Sequence, residues 1–104
     1  MKIKIYQIAP SKDKRNLLYM RLEFVQRHGG VDPADYELVF DGEVEAKDLE
    51  DVFRIFNDYT KMPQGYCGCS LSVSDVVVNE EGAFFCDSFG FVKLLDGFFV
   101  GEGA

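Results

Sequence analysis

The chain opens on alternating apolar and charged positions. Ile3, Ile5 and then Gln7-Ile8, with Lys and Tyr between them, follow the period-two pattern that predicts a half-buried strand, and Pro10-Ser11-Lys12-Asp13-Lys14 ends it. Leu18, Met20, Leu22 and Phe24 alternate with Tyr19, Arg21 and Glu23, which favours a second strand, while Leu17, Leu18 and Val25 keep a helix open for residues 17–25. His28-Gly29-Gly30 closes the element in either case. Asp32-Pro33-Ala34-Asp35 is a turn or short helical start before a strand over Tyr36-Glu37-Leu38-Val39-Phe40. Asp41-Gly42 is a turn signal that cuts this strand, with Glu43-Val44-Glu45 resuming beyond it.

The clearest helix runs from about Asp48 to Tyr59. Asp48 is a good N-cap, and Glu50 and Asp51 put negative charge in the first turn. Leu49, Val52, Phe53 and Phe56 recur at helical spacing, widened by Ile55 and Tyr59, so these four are expected to be buried together with Glu50 and Asp51 outside. Beyond Pro63, Gly65 and Gly68 the pattern returns to short β-forming runs: Val76 to Val78, Ala83 to Cys86 and Phe91 to Leu94, joined by tight turns at Glu81-Gly82 and Phe89-Gly90. The expected fold is α+β, a small, mostly antiparallel sheet or partly open barrel packed against this one main amphipathic helix.

Composition changes the picture little. A chain of 104 residues with 47% apolar residues and ten Phe is expected to form one domain over its whole length, burying roughly two thirds of its unfolded surface. No run of 18 apolar residues predicts a membrane span, and the lysine-studded start lacks the apolar stretch of a signal peptide, so the expected setting is cytoplasmic. Three cysteines are then expected to be reduced thiols.

Charge is more informative in its layout than in its total of -7. Residues 1–28 carry seven Lys or Arg against Asp13 and Glu23, a net of +5. Residues 32–58 carry ten carboxylates against Lys47 and Arg54, a net of -8. Solvated faces and ion pairs between the two segments account for such a layout most simply, because charge patterning speaks to association rather than fold.

Candidate chemistry is thin. Ser70, Ser72 and Ser74 with Asp75 and Asp87 match neither a Gly-x-Ser-x-Gly elbow nor a phosphate-binding loop, and the sole His28 is far off in sequence. Their expected role is to cap backbone N–H groups. Cys67-x-Cys69 with Cys86 and His28 is a conceivable zinc set, but one Cys-x-Cys without a second pair at ligand spacing does not make a structural site, so neither metal nor cofactor is expected. Ten Phe invite a base-stacking reading, which the acidic balance opposes: no direct nucleic-acid partner is expected.

Several segments carry a resemblance. Lys4-Ile5-Tyr6-Gln7-Ile8, the Tyr36 to Phe40 strand with Asp41-Gly42, Asp48-Leu49-Glu50-Asp51-Val52-Phe53, Pro63-Gln64-Gly65-Tyr66, Ser70-Leu71-Ser72-Val73-Ser74-Asp75-Val76-Val77 and Cys86-Asp87-Ser88-Phe89-Gly90-Phe91 together resemble the YodL-like family over nearly the whole chain. The resemblance implies a small domain of mobile elements in Gram-positive bacteria, found alone or in polyvalent proteins beside methylase and antirestriction modules, with no catalytic residue set to carry over.

The expected function is therefore a non-catalytic protein-interaction module, with a protein partner, no membrane, and a monomeric or weakly dimeric state. The alternative is an acidic DNA mimic that inhibits a host restriction or defence protein. It requires Tyr36-to-Glu45 and the outer face of the helix to share one surface, since duplex DNA carries about one charge per 1.7 Å of axis. The candidate interaction surface comprises Glu37, Asp41, Glu43, Glu45, Glu50, Asp51, Tyr66, Ser70, Ser72, Ser74 and Asp75.

Overall fold

The computed structural model describes residues 1–64, 66, 68–95 and 98. Gly65 and Cys67, to which the sequence assigned a turn and half of a cysteine pair, lie outside the described residues. Among the described residues, five strands form one open antiparallel sheet in the order β2-β1-β3-β4-β5. They are β1 (Lys2–Ile8), β2 (Tyr36–Glu43), β3 (Val76–Asn79), β4 (Gly82–Asp87) and β5 (Gly90–Lys93). Two short α-helices, α1 (Leu22–Arg27) and α2 (Leu49–Ile55), accompany them among the described residues.

Alternation along the strands gives the sheet two apolar faces. Ile3 and Ile5 of β1 and Val77 of β3 bury against Val52 and Phe56 of α2 and against Leu71. Tyr6, Ile8, Val76, Ala83 and Phe85 point the other way, onto Leu17, Tyr36 and Val25 of α1. The sheet is thus covered on both faces rather than by one helix, a three-layer arrangement in which β1 and β3 are the buried centre.

The 17–25 segment is not a strand. Leu18, Met20 and Leu22 do alternate, but the backbone N–H groups that a sheet ladder would use are taken by distant side chains. Asp13 accepts from Leu17 and Leu18 at 2.7 and 3.0 Å, Ser74 Oγ from Tyr19 at 3.0 Å, and Asp87 Oδ1 from Leu22 at 3.0 Å. Asn16 and Tyr19 adopt positive φ in this wound segment, and helix begins only at Leu22. As the sequence indicated, Gly29 and Gly30 close it, with the Gly30 N–H donating to Val25 O.

Asp41-Gly42 is likewise no turn. It continues β2, with Gly42 opposite Ile3 on β1, where a Cβ would lie 3.0 Å from the Phe40 ring, so glycine gives that ring room. The register shifts between Ile5 and Tyr6, so Val39 is the extra residue of a β-bulge, and Val39 and Phe40 both pack on the α2 face.

Helix α2 has the expected cap, Asp48 accepting from the Asp51 N–H at 2.9 Å, yet it ends at Ile55 instead of Tyr59. Asn57 is the reason: its Nδ2 donates to Phe53 O and Leu71 O, tying off the helix and leading the chain away. In so short a helix the buried stripe is Val52 and Phe56, with Leu49 half-buried. Phe53, expected inside, sits at the rim with 36% exposure.

Candidate functional site

Two groups emerge from the eleven candidate residues, on different parts of the sheet. Tyr66, Ser70, Ser72, Ser74 and Asp75 converge at the Ile8 end through a residue the sequence analysis did not single out, Gln7. As the third odd-numbered position of β1, Gln7 shares the α2 face with Ile3 and Ile5. Its Oε1 accepts from Cys69 N at 3.0 Å while its Nε2 donates to Cys69 O at 2.9 Å and to Asp75 Oδ2 at 3.0 Å. The same amide approaches Ser70 O and the Tyr66 hydroxyl, each at 3.4 Å.

Asp75 is buried and shares Oδ2 with the Ser72 N–H at 2.8 Å. Ser74, also buried and at positive φ, accepts the Tyr36 hydroxyl on its carbonyl at 2.6 Å and the Tyr19 N–H on its Oγ. The loop entering β3 is therefore sewn to β1, β2 and the 17–19 turn by polar groups, in addition to the buried Leu71. Ser74, Asp75 and Asp87 thus cap backbone N–H groups as expected, whereas Ser70 and Ser72 take part through their own backbone groups.

The electrostatics follow from burial. Desolvation raises the Asp75 carboxyl to about 7, against the opposing pull of the Ser72 and Gln7 donors. Burial, and then the Asp75 charge, push the Tyr66 hydroxyl up to about 12 and the Cys86 thiol to about 12 as well. Tyr36 is raised further for the same first reason. Beside this network lies a small cavity of about 250 Å³ lined by Gln7, Leu18, Tyr19, Glu37, Cys69 and Asp75, among others. Each shift favours the neutral form, whereas an activated Cys or Tyr nucleophile needs its pKa lowered.

The acidic candidates do not form one face. Asp41 and Glu43 stand directly across from Lys4 and Lys2, on the face of β2 opposite α2. Glu37 pairs with Gln7 on the α2 face, and Glu45 is exposed on the link between β2 and α2. On α2 itself Glu50 is exposed, whereas Asp51 is half-covered at the surface and is held below the usual carboxylate range by the Lys47 N–H and then by the Arg54 guanidinium. Between the basic and acidic segments, Arg15 and Asp35 form a half-buried ion pair at 2.6 Å. Among the described residues no three His, Cys, Asp or Glu side chains gather in a way that could hold a metal ion, and Cys86 is buried in β4 while Cys69 is exposed. No helix among them is long and apolar enough to cross a membrane.

An open antiparallel sheet held to its loops by a partly buried Gln-Asp-Ser network defines a small α+β domain. The model of the YodL-like domain matches residues 2–98, and the chain belongs to that family. No curated protein and no solved structure matches it.

Proposed function

We propose that this domain is a non-catalytic protein-interaction module serving a mobile genetic element. The observation that carries the reading is the open sheet. Among the described residues β2 and β5 are each paired along one edge only, which leaves strand backbone free to meet another chain. Large apolar side chains lie at these margins: Leu38 on β2 is 49% exposed, and Phe89 and Leu95, flanking β5, are 98% and 91% exposed. The raised pKa values of Tyr66 and Cys86 argue against either as a nucleophile in the polar network. The mobile-element setting draws its support from the family's company of methylase and antirestriction modules.

The DNA-mimic alternative draws less support, because Asp41 and Glu43 share their face with Lys4 and Lys2 and are separated by the sheet from α2. Affinity capture from an extract of the host, eluted in steps of rising salt and challenged with duplex DNA, distinguishes the two. The module reading expects a stoichiometric protein that DNA does not displace. A captured DNA-binding protein that duplex DNA competes away would establish mimicry instead, and capture of nothing would remove the module reading.

A further inference from the structure

The edge of β2 says what kind of chain it would accept. This strand is eight residues long and is paired only with β1, so alternate backbone N–H and C=O groups along its outer side have no strand partner among the described residues. On its inner side the register is an observed recognition pattern: Glu43 lies opposite Lys2, Asp41 opposite Lys4, and Leu38 opposite Tyr6. Side chains of a central strand meet neighbours on both sides of the same face, so an outer strand would be presented with the same Glu43, Asp41 and half-exposed Leu38.

We infer that the outer edge of β2 takes up an extended, basic segment of a partner protein by strand addition, antiparallel to β2, with the pattern Lys/Arg-x-Lys/Arg-x-aromatic that β1 already displays. The inference rests on the interaction-module reading and names its surface. A second copy of this chain docked β2 to β2 is a poorer occupant, since it would bring the carboxylates of Glu37, Asp41 and Glu43 toward those of its mate. The bulge at Val39 and the carboxylates also fit an edge that refuses indiscriminate pairing and accepts a charge-matched strand.

A synthetic peptide with the sequence of residues Lys2–Ile8, Lys-Ile-Lys-Ile-Tyr-Gln-Ile, serves as the probe, titrated into the intact domain and read by anisotropy and by amide hydrogen exchange. Binding is expected, weakened by salt, with slowed exchange in β2 and none of the loss in β1 that strand displacement would cause. Replacing both peptide lysines by glutamate should abolish it. The double variant Asp41→Lys, Glu43→Lys should lower affinity about tenfold, as two reversed cross-strand pairs imply. These exposed changes leave the core alone but set lysine opposite Lys2 and Lys4, so urea unfolding checks that the variant is folded, and a second test avoids mutating the domain. N-methylating the alternate peptide amides that face β2 should block binding, while methylating the intervening set should not. Equal effects of the two methylated sets, no binding, or β1 losing protection overturn the inference. So does a dimer through β2 in the absence of peptide. A captured host protein that leaves β2 exchange unchanged overturns the edge assignment but leaves the module reading standing; capture of no protein strikes the module reading itself.

Discussion

Asp75 is the residue on which solvent pH acts most directly. Its carboxyl titrates near 3.8 when exposed and near 7 in the fold, so between these values the folded domain holds a proton that the unfolded chain has released. Its contribution to stability is therefore complete below about pH 4, is lost as pH rises toward 7, and is flat above that; a shift of this size corresponds to at most about 4 kcal/mol. In Asp75→Asn the fall in stability from pH 5 to pH 8, followed by urea unfolding, should largely disappear. A slope unchanged from wild type would show that Asp75 is not the titrating group. Gly68 makes a second residue-level test of the same network, because a Cβ there would lie 2.6 Å from the Tyr66 hydroxyl and 2.8 Å from Gln7 Oε1. Gly68→Ala should cost about 1–3 kcal/mol by urea unfolding, and a neutral result would show that the Gln7 clasp yields freely. The capping roles of Ser74, Asp75 and Asp87 could be read from residue type. Gln7 could not, because its partners lie more than 60 residues away and nothing local distinguishes a clasping Gln from a solvated one.

At the scale of elements, α2 and the β3-β4-β5 hairpins were legible because their signals are local. Asp48 caps the helix as its sequence position implies, and the Glu81-Gly82 and Phe89-Gly90 turns lie where the β-forming runs break. Residues 17–25 were not legible, since their backbone donors are satisfied by Asp13, Ser74 and Asp87, two of them from the far end of the chain. Asp41-Gly42 misled for a related reason: the glycine makes room for the Phe40 ring rather than reversing the chain. The buried stripe of α2 yields a graded test. Phe56→Ala, at a site with no exposure and in contact with the Phe40 and Tyr66 rings at 5.1 and 5.0 Å, should cost about 3–5 kcal/mol. Phe53→Ala, at the rim, should cost under half as much by the same urea titration. Equal losses would mean that α2 packs with a different face inward.

For the whole molecule, the segregated charge resolves into a sheet that partly neutralises itself. The basic first strand runs beside the acidic second, Lys2 to Glu43 and Lys4 to Asp41, and Arg15 reaches Asp35. Among the described residues, the outer side of β2 has no strand partner, and large apolar groups are exposed around β5. Both are the features on which the proposed interaction module rests, while the interior Gln7-Asp75 network holds the loops. The measurement that tests this account most directly is amide hydrogen exchange on the domain, free and in complex with the protein it captures from its host. Protection should rise along the outer amides of β2 and leave the buried amides of β3 unchanged. Protection appearing instead around the Asp75 cavity alone, with β2 exchanging as it does in the free domain, would contradict it.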